Sequence, residues 1–533
     1  MKPEPMKKTV EVNKRSLRLA LEESLRPMQS FFDPTHGGLP FFGNVMVGEP
    51  WGNTHHASFS MAHVPGRWLN ALLNAQDVLG LAVDEAAIIN LAHWALHSLT
   101  ATQMGFPACM DVETSECLNQ TDLHNLREVM HALTALVRYR GDERAYELAV
   151  KFIEQVDRYF DDEKGCLREA EWARDTGGRL LKWSGTRTNA SPFPITFGRY
   201  IGPLVKFYQA TGEVKALRQA MRLKDACFRH VINAHGDYQA EVFGGHTHST
   251  TSTLSSLALL GDAVGDIAIL RRVKRFLENG MRQIALDFGW CIENHDRRDD
   301  VGEINNTADM LETCLILGKW GFPGYYARAE RILRAHLLPA QLLDTSFIPE
   351  SDDASHPEAY RLASRGKGAF GFPCPYGHED HAGAPLSFNW DIVGGGAEGL
   401  CEAIRAQWSA NGNLFSINLL FDIETDAFSF RSPYGHGDMA ELIVRRPGTA
   451  FRVRIPGNCE SVEVKNAESF TGGEWLYLSG IAPGTGASIR FRFSTEVARY
   501  QFRDKTYSLR WRGEEITGAD SAGKRLCFFP VIE

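Results

Sequence analysis

From about residue 14 to 410, apolar side chains recur at intervals of three and four, the spacing that gives a helix one buried face. On this basis Leu123 to Tyr139, Glu143 to Tyr159, Leu204 to Thr211, Val214 to Val231 and Ile267 to Ile284 are predicted helices. Several come in pairs. RYRGDERAYELAVKF and FYQATGEVKALRQAM both read as helix, glycine turn, acidic residue, helix. The glycine supplies the left-handed residue that ends one helix, and the acid suits the start of the next. LLGDAVGDIAILRRVKRFL is a looser third copy. Helical hairpins repeated in this way form either an open solenoid or a closed ring. Irregular repeats and long Gly-, His- and aromatic-rich loops favour the ring, an (α/α)6 barrel with its loops gathered into a pocket at one end.

After about residue 413 the period changes. LFSINLLFDI, FRVRIPG, SVEVKNA, EWLYLSG, SIRFRFS and TYSLRWRG alternate or are rich in β-branched and aromatic residues, with Gly, Pro and Asn between them. The expected fold is therefore mainly α: an (α/α)6 barrel over residues 1–412, then a C-terminal β-sandwich over 413–533. The sandwich is expected to support and cap one wall of the barrel, with carbohydrate binding as the less favoured alternative.

Composition narrows the function. The 533 residues carry 57 basic and 66 acidic side chains, a net charge of −9, which argues against a nucleic-acid partner. No apolar run approaches a membrane span, and the basic N-terminus lacks the apolar core of a secretory signal. The ten cysteines are scattered without a CxxC pair, so free thiols in a reducing cytoplasm are expected.

Four clusters carry candidate chemistry. Trp51, His55 and His56, with His63 and Arg67 close behind, combine an aromatic face with polar donors, which suits a sugar. His246 and His248 precede a helix; two histidines at that spacing serve as acid and base, as sugar-binding donors or as metal ligands, but no third ligand is fixed by spacing. Glu293 to Glu303 is a charged loop containing His295, Asp296, Arg297 and Asp299, and it leads to Glu312-Thr313-Cys314. Paired carboxylates are what glycoside hydrolysis requires. Tyr376, His378, Glu379, Asp380 and His381 precede Trp390-Asp391-Ile392-Val393-Gly394-Gly395-Gly396, whose glycines are expected to let backbone approach a ligand.

Glu312-Thr313-Cys314, the Trp390-to-Glu398 segment, FRVRIPG and the closing strands resemble glycoside hydrolase family 127, the β-L-arabinofuranosidase-like proteins. The resemblance is distant and covers nearly the whole chain. It implies an (α/α)6 barrel with β-sandwich modules. In that family the Glu and Cys of Glu-Thr-Cys bind zinc with two adjacent cysteines, the first of which is the nucleophile. Here the pair is replaced by Asp391 and Ile392, so a zinc–cysteine mechanism is not expected, and neither is a metal or other cofactor. The family's GHAVR histidine matches His246, and its acid/base carboxylate falls near Asp296.

The expectation is a glycosidase releasing a terminal sugar from an oligosaccharide or glycoconjugate. Asp391 is the nucleophile or base, and Asp296, Glu303 or Glu312 the acid. Trp51, His55, His56, His246, His248, His295, Arg297, Tyr376, His378 and Trp390 are the sugar-binding candidates. Two alternatives stay open: a uronide hydrolase, lyase or epimerase on the same barrel, and a non-catalytic sugar-binding relative. No nucleic-acid or membrane partner is expected, and a homodimer is one option for assembly.

Overall fold

The computed structural model describes residues 8–9, 16–181, 192–297, 300–378, 386–520 and 526–532. The glycine turns act as predicted. Gly141 (φ 64°) ends the helix Leu126–Arg140, and Asp142 caps Glu143–Tyr159 by accepting a hydrogen bond from the Ala145 amide at 2.9 Å. Gly212 and Glu213 join Arg199–Thr211 to Val214–His230 in the same way. Gly265 and Asp266 join Thr247–Val264 to Ile267–Glu278, so the third copy has the same form as the others. A left-handed glycine followed at once by a side-chain cap reverses the chain in the shortest available space.

Six helices form an inner ring: His63–Leu79, Leu126–Arg140, Arg199–Thr211, Thr247–Val264, Ile304–Lys319 and Asp391–Ala406. Each packs on the next, and the sixth packs on the first. Six outer helices, Glu85–Thr100, Glu143–Tyr159, Val214–His230, Ile267–Glu278, Tyr325–Ile332 and Leu17–Met28, each cover one inner helix. The outer helices bury one stripe, as their periodicity dictates. The inner helices are enclosed over most of their surface, and the axis they surround holds Arg67, Arg127, Glu128, Arg199, Asn305 and Asp309, all buried.

Glycine sets the spacing inside the ring. A Cβ on Gly66 would stand 2.1 Å from the Glu128 carbonyl oxygen, so this residue lets the first and second inner helices touch. The Gly394-Gly395-Gly396 run has the same role. Added Cβ atoms would meet Arg67, Asn305 Oδ1 and the Phe370 ring, so these glycines admit protein neighbours, where the sequence reading had them admit a ligand.

Two five-stranded sheets follow. One has the order Trp408–Asn411, Leu414–Ile417, Ala450–Arg454, Trp475–Ser479, Glu468–Gly472. The other runs Ile423–Glu424, Phe428–Arg431, Met439–Val444, Gly486–Phe493, Cys459–Lys465. Phe415, Phe428, Leu442, Phe451, Ile489 and Phe491 fill one core between them. The first strand starts at Trp408, before the expected boundary at 413. The TYSLRWRG segment departs from expectation. It belongs to a separate sheet, Thr495–Phe502, Lys505–Arg512 and Glu515–Ala519, whose Phe502, Leu509 and Trp511 join the core of the helices. A fully buried ionic network ties the parts together. Glu330 meets Arg334 (2.7 Å) and Arg454, and Arg454 meets Glu514 (2.7 Å), which accepts from the Tyr434 hydroxyl. All ten cysteines are free thiols, and among the described residues no helix is long and apolar enough to cross a membrane.

Candidate active site

A cavity of about 340 Å³ opens where the inner helices begin. Every one of the six contributes a residue from its start or from the turn leading into it. His63 is the first residue of its helix. His124 and Ile195 lie in the turns leading into the second and third helices. His246 and His248 open the fourth, Glu303 immediately precedes the fifth, and Asp391 is the first residue of the sixth. Short connections to the outer helices make the first five inner helices run the same way, and the sixth, whose outer helix Leu17–Met28 comes from the other end of the chain, brings its start to the same cavity. Phe42, Phe59 and Phe372 supply apolar walls, and Glu293, Asn294, Asp296 and Asn389 complete the polar lining.

Asp391 is buried, and its two oxygens differ. Oδ2 accepts a hydrogen bond from His63 Nε2 at 3.1 Å and lies 3.6 Å from Arg67 Nε, whereas Oδ1 is buried without a hydrogen-bond partner. Burial works against its charge, but the His63 hydrogen bond and the nearby Arg67 outweigh it, so the carboxyl stays below its ordinary range. Asn125 Oδ1 accepts from the other nitrogen of His63 (3.1 Å), and the Asn125 amide donates to the Ser58 carbonyl (2.6 Å), which fixes the ring. Beneath lies Glu128, fully buried, with Arg67 (3.1 Å), Arg127 (3.0 Å) and Arg199 (2.5 Å) around its carboxylate. Those cations hold Glu128 ionised despite burial.

Glu303 has the opposite environment. Burial, then the charges of Glu293 and Asp391, push its carboxyl up to about 8 against a single hydrogen bond from Asn305 Nδ2 (2.7 Å). His248 faces it, with Nδ1 3.6 Å from Glu303 Oε1 and Nε2 3.4 Å from Asp309 Oδ2. Burial and then Arg67 keep His248 well below its usual range, so this is a neutral imidazole between two carboxyls. Burial raises Asp309 to about 7. Burial and then Arg199 hold His246 down to about 3, and its Nδ1 meets Ser249 Oγ at 2.7 Å. One wall of the cavity thus carries an ionised carboxylate and another a protonated carboxyl. Environments that push two carboxyls apart in this way are how acid and base roles are divided.

Of the predicted residues, Asp391, Glu303, Asp296, His246 and His248 meet at this cavity. The others lie elsewhere. Glu312 is nine residues beyond Glu303 on the same helix, roughly 13 Å along its axis, beside Lys206 and Ser255. Trp390 is core: it stacks on Phe31 at 3.9 Å and donates to Asn53 Oδ1. His378 is buried between Phe388 and Phe528, and Tyr376 packs on Tyr507. His55 bonds Asp33 (2.9 Å), Trp51 packs on the core, and His56 stacks on Phe59 behind the cavity wall. His295 packs on Tyr238, and Arg297 is exposed and paired with Glu293. Asp299, Glu379, Asp380 and His381 fall outside the described residues. Sequence reasoning did not propose His124 or Glu128, and it named His63 only within the sugar-suited cluster, not as the partner of Asp391. All three sit in or beside helical segments, where only their polarity on an otherwise buried face marks them.

Comparison with solved structures decides the fold family. A GH127 β-L-arabinofuranosidase from Geobacillus stearothermophilus T6 aligns over 95% of this chain and 86% of its own, with a TM-score of 0.55 at 13% identity. Another GH127 β-arabinofuranosidase covers 96% and 84%, with the same score and identity. The chain has the fold of the GH127 β-arabinofuranosidases. A structure described as a glycoside hydrolase also matches at 0.55 with 12% identity, over 85% of this chain and 76% of that one. No protein-family model and no curated protein matches the sequence.

The GH127-like fold does not bring the GH127-like zinc set together. Cys314 is fully buried in the apolar core, its thiol pushed up to about 11, and Ile392 offers no ligand atom. With Glu312 down the helix as well, these residues do not fit zinc. Separately, one ligand atom from each of His246, His248 and Glu303 lies within 4.8 Å of the others. A metal there would require Glu303 to lose the proton its surroundings retain.

Proposed function

We propose that this protein is a glycoside hydrolase that releases a terminal sugar by carboxylate chemistry, on an (α/α)6 barrel with a C-terminal β-sandwich. One observation carries the reading: Asp391 and Glu303 border the same cavity, the first beside His63 and Arg67, which hold its carboxyl below the ordinary range, the second buried and beside Glu293, which together raise its own. Glu303 donates its proton to the departing glycosidic oxygen. Asp391, through its unpartnered Oδ1, attacks the anomeric carbon or takes the proton of the attacking water. His63 and Arg67 hold the other oxygen and keep the group ionised. The phenylalanine walls suit the C–H face of a sugar, and the enclosed cavity suits a chain end.

A lyase or epimerase is the second reading, because His246 and His248 are neutral and able to accept a proton beside the same cavity. Chemistry on a uronic acid also needs a cation against the substrate carboxylate, and no lysine or arginine is among the described residues that line the cavity. Hydrolysis is therefore preferred. Proton NMR of the protein with neutral and uronic-acid oligosaccharides, run beside Asp391→Asn, tests this. A free reducing sugar that the variant fails to produce is expected, and the first anomer seen gives the stereochemical course. A vinylic proton would move the protein to the lyase class.

A further inference from the structure

A second cavity, of about 680 Å³, lies at the opposite end of the ring. Five inner helices reach it from their C-terminal halves. Its far wall is a face of the sheet that contains Trp408–Asn411, Ala450–Arg454 and Trp475–Ser479. It shares no lining residue with the first cavity. We propose that this is a second saccharide-binding site, one that holds a stretch of the sugar chain at a distance from the reacting end. The ligand class rests on the hydrolase reading; the site itself rests on the following geometry.

Trp475 is half-buried at its wall, on the same face of the sheet as Arg452; Trp408, on the opposite face, packs its ring against Phe415 (6.0 Å) and Phe428 (5.7 Å). The Arg452 guanidinium sits 4.4 Å from the centre of the Trp475 ring and donates to Ser416 Oγ at 2.7 Å, so both side chains are held in place before any ligand arrives. Asn418 is buried and also lines the cavity. Its amide nitrogen donates to the Ala406 carbonyl, but its Oδ1 has no donor. The charged lining is largely paired within itself: Lys319 with Asp262 (2.8 Å), Arg405 with Glu402 (3.0 Å) and Lys206 with Glu312 (3.8 Å). Paired charges leave little net field to attract an ion. They do present donors and acceptors side by side, and that is what hydroxyl groups need, since each both donates and accepts. An indole face with such neighbours suits a neutral, polyhydroxylated chain.

The test uses the full-length Asp391→Asn protein, titrated calorimetrically with neutral oligosaccharides of glucose, xylose, arabinose and mannose. Two sites per chain are expected for at least one sugar. Adding Trp475→Ala is expected to weaken one of them at least tenfold and leave the other unchanged, with an unaltered far-UV spectrum as the folding control. In the parent background the same substitution should spare turnover of a small aryl glycoside and lower kcat/KM on a polymer. A single site per chain, or a tryptophan variant that binds and acts like the parent, would overturn the proposal. Tryptophan-dependent binding without turnover of any substrate would sink the hydrolase reading and leave the second site standing.

Discussion

At the scale of single residues, the proposed mechanism divides the labour between two carboxyls, and that fixes a pH profile. On that mechanism turnover requires Asp391 ionised and Glu303 protonated. The acid limb follows a carboxyl held below its ordinary range, so activity should already be full near pH 5. It should fall as pH rises through about 8, where Glu303 loses its proton. Plotting kcat/KM against pH checks both limbs. Asp391→Asn and Glu303→Gln should each lower kcat by ~10³-fold or more. The same buried proton affects stability. The native state keeps a proton on Glu303 that the unfolded chain releases above its ordinary value of 4.5, so Glu303 costs stability progressively from there to about 8. Glu303→Gln removes that cost. Its unfolding free energy should match the parent near pH 4 and exceed it by about 5 kcal/mol at pH 9; urea titrations at the two pH values decide this. Asp391, Glu303 and the His246–His248 pair were legible in the sequence because they stand in glycine-rich or charged stretches just before a predicted helix. His124 and Glu128 were not, because a helical pattern absorbs a polar residue without a trace.

At the scale of elements, the chain announces its turns plainly and its helix phases poorly. Gly141-Asp142, Gly212-Glu213 and Gly265-Asp266 are local signals, since a left-handed residue and a side-chain cap need no distant partner. Where along a helix a residue meets the axis cannot be read from a three-residue likeness. That is why Glu312-Thr313-Cys314 stood among the candidates, although it is Glu303, just before the same helix, that borders the first cavity. Glu312→Gln is accordingly expected to keep turnover of a small aryl glycoside within about threefold, the small effect of a charge remote from the reacting end. The glycine run was misread for a related reason: contact between helices is long-range and leaves no local mark. Gly66→Ala and Gly395→Ala should each destabilise the protein by about 3 kcal/mol, as overpacking does. In both the new Cβ meets its neighbour at about 2 Å. Thermal unfolding of the two variants tests the claim.

At the scale of the whole molecule, the helical and strand-rich regions were legible from their periods. Their junction was not, because the third sheet has ordinary strand alternation yet buries its apolar side chains against the helices. The Glu330–Arg454–Glu514 network fastens that junction. Removing one member of a fully buried ionic set leaves the others uncompensated, so Arg454→Ala should cost about 3–5 kcal/mol in urea unfolding. The ring itself closes where its sixth helix meets its first, and there His63 reaches Asp391 across 328 residues of chain. The proton balance of Asp391 thus depends on the most sequence-distant pairing between neighbouring inner helices. Such a contact pays its loop-closure entropy late. During refolding from urea, catalytic competence should return after the far-UV helical signal has recovered, and the regain of activity would time the closing of the circle.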